Sequence, residues 1–229
     1  MDIKTVNEII GILEGYRDSG LRIDSERVSA VPLSGPSKRG LVLAVGHSRA
    51  GDKGALSWDD LITEWDYNQS LAQFIKRYLD ESIDVTIINQ YQGSSYAAAI
   101  TNLKREVDPL NPELVVELHF NSFSNPQANG YEALYWHNSK QGKSAAFSFM
   151  SAMEDSFPRR NNRGAKAILT SSQRGARFLR SLKAPCVILE PFFGSNEQEW
   201  QLFKTTQGKQ LLAKTIATGI NECFSHRPK

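Results

Sequence analysis

Leu41-Val42-Leu43-Ala44-Val45-Gly46-His47 is the stretch on which the fold turns. Five apolar residues follow one another with no polar alternation. A strand of this kind is buried on both faces, which is the condition inside a parallel sheet covered by helices. The run stops at a glycine and then a histidine, so an imidazole stands just past the strand's end.

The same pattern repeats outward from there. Val85–Ile88, Leu114–His119, Tyr131–Trp136 and Cys186–Leu189 read as further strands. Helical spacing fills the intervals near 63–81, 94–107, 143–156 and 207–224. Apolar strands alternating with helices predict an α/β domain with a central, mostly parallel twisted sheet and helices on both faces. In such sheets ligands sit beyond the carboxyl ends of the strands. Three of these strands end in, or run into, a group able to bind metal or move protons: His47, His119 and Glu190.

Composition fits this class. The chain has 229 residues, 40% of them apolar, enough for one domain with a sizeable core. A formal charge of +2 is far from the footprint of a nucleic-acid binder. Cys186 and Cys223 form no C-x-x-C pair and read as buried free thiols. Residues 1–39 read as a helical extension and linker: Val6, Ile9, Ile10, Leu13 and Tyr16 recur at helical spacing, and Pro32, Gly35 and Pro36 mark a loop. Residues 40–229 then form the main domain. The N-terminus lacks the basic start and long apolar run of a secretory signal, and nothing in the chain approaches a membrane span. A chain made in the cytoplasm is the expectation.

The helix that starts after Thr63 adds a carboxylate. Thr63 reads as the cap, with Asp66 three residues on. Leu71, Ile75 and Tyr78 define one face, and Glu64, seven positions before Leu71, shares it. An inward carboxylate must be neutralised, by a metal or by a basic side chain. Two imidazoles and a carboxylate around an open position make a catalytic zinc site. A further carboxylate could move the proton of a zinc-bound water. His47, Glu64 and His119 could supply the first set, and Glu190 the second. No H-E-x-x-H is present. Spacing alone leaves this open, because a lone histidine at a strand end is more often structural.

The wording around these residues is more specific. Gly46-His47, Asp52-Lys53-Gly54-Ala55 and Glu64-Trp65-Asp66-Tyr67-Asn68 resemble the opening motifs of the family-3 N-acetylmuramoyl-L-alanine amidases: G-H, then D-P-G-A, then E-x-D-x-N. His119-Phe120-Asn121 resembles that family's H-x-N, Gly130-Tyr131-Glu132 its G-x-E, and Arg163-Gly164-Ala165-Lys166 its R-G-x-K. Phe178-Leu179-Arg180 and Pro185–Asn196 resemble its closing stretch. The motifs span 40 to about 200 in the family's order. The resemblance implies zinc on His47, Glu64 and His119, and Glu190 as the catalytic glutamate. The implied reaction is hydrolysis of the amide between N-acetylmuramic acid and L-alanine in peptidoglycan. Lys53 stands where the family has proline, Pro191 where it often has Thr, Gly or Ser, and Asn89-Gln90-Tyr91 where it has T-R-x-x-D. The interval from His119 to Glu190 is too short for the autoinhibitory helix of some relatives, so an open site is expected.

The remaining polar residues carry two readings each. Glu117 shares a strand face with His119 and could orient a ligand or sit in a salt bridge. Asn121 could orient a ligand or cap a turn, and Glu132 is equally ambiguous. Arg163 could meet stem-peptide carboxylates or belong to a solvated basic face. Asn196 reads as a helix cap with Glu199, His137 as a rim residue and His226 as part of a polar tail. The expected setting is a monomeric lysin of phage or prophage type that reaches the wall after release, or a cytoplasmic scavenger of wall fragments. Two rivals are a zinc amidohydrolase acting on small N-acyl amino acids and a wall-binding module without catalysis.

Overall fold

The computed structural model describes residues 38–47, 51–91 and 93–225. The helix expected around Val6–Tyr16 and the tail histidine His226 lie outside the described residues.

Six strands form one sheet: β1 Arg39–Val45, β2 Ile83–Ile88, β3 Leu114–Leu118, β4 Tyr131–Trp136, β5 Asn162–Ile168 and β6 Cys186–Glu190. Their order is β2-β1-β3-β6-β4-β5. Strands β2, β1, β3 and β6 run parallel. β4 pairs with β6 antiparallel, and β5 follows β4 in parallel. The sheet is thus mostly parallel, with its last two strands reversed. β5 was not among the strands predicted from sequence. Its Asn162-Arg163-Gly164-Ala165-Lys166 start is polar and only partly buried, so it lacks the apolar run that marks the other strands.

Among the described residues six α-helices accompany the sheet: α1 Glu64–Tyr78, α2 Tyr96–Val107, α3 Lys140–Ser156, α4 Ala176–Ser181, α5 Glu197–Phe203 and α6 Thr206–Ser225. Side-chain alternation sorts the sheet into two faces. Leu41, Leu43, Val116, Leu118, Val187 and Leu189 pack on one face with α1, α3 and α6. Val42, Ala44, Val115, Cys186 and Ile188 pack on the other with α2 and α4. β1, β3 and β6 therefore read as largely apolar because their odd and even residues enter different cores. Cys186 and Cys223 are both buried and unbridged.

Side-chain oxygens of Thr63, Ser95, Ser139 and Asn196 cap α1, α2, α3 and α5. Each satisfies a backbone N–H that the helix cannot. The Asn196 cap accepts from Glu199 N at 3.0 Å, as read from the sequence. Beneath the first turn of α1, the rings of Tyr67, Phe120, Phe192 and Trp200 meet at centroid distances of 5.1–6.5 Å. Full burial of one such ring contributes about 2–3 kcal/mol. This cluster fixes α1 against the residues that follow β3 and β6, where the polar groups of the cleft stand.

Candidate metal centre

The groups singled out by sequence converge at the carboxyl edge of the sheet. Gly46 continues β1, and its missing side chain makes room for a ring: a Cβ there would lie 2.2 Å from His119 Cε1. His47 follows with φ at +68°, a left-handed conformation that is strained for a side chain of this size. That turn carries the imidazole back over the sheet edge. Asp52 braces it, with Oδ2 2.9 Å from His47 Nδ1, while Asp52 Oδ1 accepts from Gly54 N at 2.9 Å. Gly54 also has positive φ, and a Cβ there would come within 2.6 Å of Glu64 Oε2. Both glycines permit a close approach that no other residue would.

Glu64 opens α1, where the helix dipole favours a negative charge. Its Oε1 accepts from Phe120 N at 3.1 Å and stands 2.8 Å from His119 Nδ1. Its Oε2 accepts from Ala55 N at 3.2 Å and stands 3.2 Å from His47 Nε2. The side chain is buried. Burial alone would raise its carboxyl, but hydrogen bonds and positive charge from His119 and His47 overcome this and bring it down to about 2. The imidazoles respond in the opposite sense. Burial lowers His119, but its hydrogen bonds to Glu117 and Glu64 lift it well above its ordinary value. His47 is raised too, its burial outweighed by Glu64 and Asp52.

One donor atom from each of His47, Glu64 and His119 lies within 4.8 Å of the others. Two imidazole nitrogens and a carboxylate oxygen at this spacing suit a single divalent ion of zinc type. The donors come from three separate elements. Each is held by a second contact, and without an ion the cluster relies on protons to balance Glu64. The residues fit a metal.

Glu117 lies one pleat below His119, on the same strand face. Its Oε2 is 3.3 Å from His119 Nε2, and its Oε1 accepts from the buried Tyr91 hydroxyl at 2.6 Å. A carboxylate behind a ligating imidazole fixes the ring's orientation. Tyr91 was not among the residues picked from sequence, where it counted only as part of a departure.

Glu190 ends β6 on the same face as His119 and stands opposite Glu132 in the β4–β6 ladder. Like charges placed directly opposite repel. Basic side chains resolve the conflict. Glu132 is held by Arg163 at 2.7 Å and Lys166 at 2.6 Å, and Asn121 Nδ2 donates to it at 3.2 Å. Its carboxyl is lowered: burial works against this, but Lys166 and Arg163 prevail. Glu190 is paired with Arg174 at 2.8 Å, and Arg174 also reaches Glu132 at 3.5 Å. Burial nevertheless raises the Glu190 carboxyl against the pull of Arg174 and His119. Two facing carboxylates thus titrate in opposite directions, the pattern that separates a fixed anion from a proton carrier. Arg174 had escaped the sequence reading, because a lone arginine in Ser171-Ser172-Gln173-Arg174-Gly175 has no periodic or motif signal.

The loop behind Glu190 is pinned. Buried Glu199 accepts from Phe193 N at 2.7 Å and Gly130 N at 3.0 Å, and pairs with Arg160, whose other arm donates to Pro191 O at 3.0 Å. His137 sits apart, stacked on Trp136 at 4.7 Å. His47, Asp52, Glu64, Glu117, His119, Arg174 and Glu190 border one cleft of about 570 Å³, whereas Asn121, Glu132 and Arg163 stand behind its lining. A smaller cavity of about 270 Å³ adjoins it around Tyr91, Tyr96 and Glu117.

Residues 41–222 match the family model described as N-acetylmuramoyl-L-alanine amidase. No curated protein sequence matches the chain. Among solved structures, the CwlD amidase from Clostridioides difficile in complex with the GerS lipoprotein is 21% identical with a TM-score of 0.73, over 83% of this chain and 100% of that one. The catalytic domain of CwlV, an N-acetylmuramoyl-L-alanine amidase from Bacillus (Paenibacillus) polymyxa var. colistinus, is 20% identical with a TM-score of 0.69, over 82% and 99%. The catalytic domain of the CD27L endolysin targeting Clostridia difficile is 27% identical with a TM-score of 0.63, over 80% and 97%.

Proposed function

The chain belongs to the N-acetylmuramoyl-L-alanine amidase family and hydrolyses the amide that joins N-acetylmuramic acid to L-alanine in peptidoglycan; from that premise we propose that His47, Glu64 and His119 hold a zinc ion and that Glu190 carries the proton. The supporting observation is the pairing of two environments at one edge. Three donor atoms lie within 4.8 Å of one another, and a carboxylate with a raised pKa stands beside them in the same cleft. Residues 40–229 carry this catalytic domain.

Zinc, when bound, supplies a Lewis acid that activates water and polarises the scissile carbonyl. The chain's own residues do the rest. Asp52 and Glu117 orient the two imidazoles through His47 Nδ1 and His119 Nε2, so that His47 Nε2 and His119 Nδ1 stand against Glu64. Arg174 holds Glu190 at the cleft wall, where its carboxylate accepts the proton of the attacking water. The protonated Glu190 then gives that proton to the leaving alanine nitrogen. Glu132, kept ionised by Arg163 and Lys166, anchors Arg174 and Asn121 rather than moving protons.

A monomer working on a polymer is the state proposed. Among the described residues no helix is long and apolar enough to cross a membrane. Wall lysis of endolysin type is the setting favoured, on the likeness to the CD27L catalytic domain. Digestion of purified sacculi with zinc-loaded protein tests the reading. Mass spectrometry should find free L-alanine amino termini on intact glycan strands, and Glu190→Gln should lose about 10²–10⁴-fold in rate while keeping its zinc. New reducing sugar ends would refute the substrate assignment. Full activity in Glu190→Gln would refute the proton carrier.

A further inference from the structure

The cations around the cleft divide into two groups. Arg163, Lys166 and Arg174 are paired with Glu132 and Glu190. Lys104 of α2 pairs with Asp108, the residue that caps that helix's end. Arg177 and Arg180 are exposed on α4, three residues apart and so on one side of the helix. No carboxylate among the described residues pairs with either; Arg180 only overlies Trp136, at 5.9 Å. Ser171 and Arg177 border the main cleft and also a second trough of about 570 Å³, which continues past Arg180, Ser181 and Lys104.

The other side of the cleft has a different character. Ala55, Phe120 and Ser122 line it. Beyond them the exposed side chains include Trp58, Leu61 and Phe123. Trp58 N donates to Gly194 O at 2.7 Å, and Phe123 N to Ser195 Oγ at 3.0 Å, which draws both residues to one loop. The cleft therefore crosses the sheet edge from an apolar rim on the α1 face to a cationic trough on the α2/α4 face.

The substrate is polarised in the same way. One side of the scissile amide is an uncharged sugar. The other is a peptide whose residues carry free carboxylates. We propose that the trough marked by Arg177 and Arg180 is the subsite for a free carboxylate on the stem-peptide residue that follows L-alanine, so that the peptide runs over the α2/α4 face and the glycan leaves over the Trp58 rim. This rests on the amidase reading above. Two extended residues span about 7 Å, and Arg177 lines the same cleft as His47, Glu64, His119 and Glu190. Guanidinium groups bind carboxylates through paired, charge-assisted hydrogen bonds.

The experiment uses two muropeptides that differ only in whether the carboxyl of that second residue is free or amidated. Wild-type protein should show a KM lower for the free acid by roughly tenfold. In the double variant Arg177→Gln, Arg180→Gln the two KM values should agree within about twofold. The ratio is internal to each protein, so loss of folded material cannot imitate the effect. A wild type without preference overturns the proposal, and so does a preference that survives in the variant. Failure of the wild type to cleave either compound would instead overturn the amidase reading, and the subsite with it.

Discussion

Glu132 and Glu190 face each other across the antiparallel β4–β6 pair, and the guanidinium of Arg174 touches both. That relationship explains why the sheet reverses direction where it does. A parallel neighbour would not bring the first residues of β4 alongside the last residues of β6. The reversal sets a Glu132 whose carboxyl is lowered by Lys166 and Arg163 next to a Glu190 whose burial favours its neutral form. The anion that anchors the basic side chains and the proposed proton carrier are thereby separate, although only one strand spacing divides them.

Arg174 should therefore set the pH at which Glu190 becomes competent. Burial raises Glu190, and Arg174 opposes the rise. Removing the guanidinium lets the carboxyl climb further. A general base works only when ionised, so the acidic limb of the pH–rate profile of Arg174→Met should move to higher pH. At neutral pH the rate should fall by roughly tenfold, with bound zinc unchanged. A profile that drops in height without moving would assign Arg174 to substrate binding instead.

Glu132 should matter to stability in a pH-dependent way. Its folded pKa lies below the ordinary 4.5, because Lys166 and Arg163 outweigh its burial. A depressed carboxyl stabilises the fold above its unfolded pKa, and this contribution fades as pH falls through the lower folded value. Glu132→Gln should thus be less stable than wild type at pH 7, with the gap closing towards pH 3. Denaturant melts at both pH values measure it. A gap that stays constant with pH would mean that shape, not charge, is what the substitution disturbs.

Much of this arrangement was legible in the chain. The apolar runs at 41–45, 114–118 and 186–189 gave the parallel strands, because burial on both faces leaves no other pattern. His47, His119 and Glu190 were readable as strand-end groups, and Glu64 as an inward residue of a capped helix. β5 was hidden, since a partly exposed edge strand needs no apolar run. Arg174 and Arg177 were hidden for a different reason. Their importance comes from which carboxylates their neighbours already neutralise, and that is a property of tertiary pairing. Tyr91 gained its role only when β3 placed Glu117 beside it.

Gly46 should be intolerant of even one added carbon. A Cβ there would meet three atoms of the His119 ring at 2.2–2.6 Å. The ring cannot retreat without leaving Glu64 and Glu117. Gly46→Ala should cost about 1–3 kcal/mol in the unfolding of the metal-free protein, as overpacking does. It should also weaken zinc binding, because the displaced ring is a proposed ligand. Calorimetric unfolding and a chelator competition read the two effects separately. Normal zinc affinity with lowered stability would show that the ring swings aside without losing its donor.

Zinc binding should compete with protons, and the cluster's titration gives the sign. In the metal-free protein Glu64 sits near 2 against an ordinary 4.5, while His119 is raised well above 6.5. The depressed carboxyl contributes stability above about pH 4.5 and loses it towards pH 2. The raised imidazole contributes stability that is complete below about pH 6.5 and lost as pH rises through its folded value. The metal-free protein should thus gain most from this cluster between those two limits and weaken on the alkaline side. A bound ion needs His47 and His119 without their extra protons, so binding expels protons and tightens as pH rises. Apparent zinc affinity should increase by roughly ten- to a hundredfold per pH unit between pH 6 and 7, for one or two protons released. The rise in melting temperature on adding zinc should grow over the same interval. Chelator competition at several pH values, with calorimetry in buffers of different ionisation enthalpy, counts the protons. An affinity flat in pH would mean that the imidazoles are already neutral, and the charge balance drawn here for Glu64 would fail.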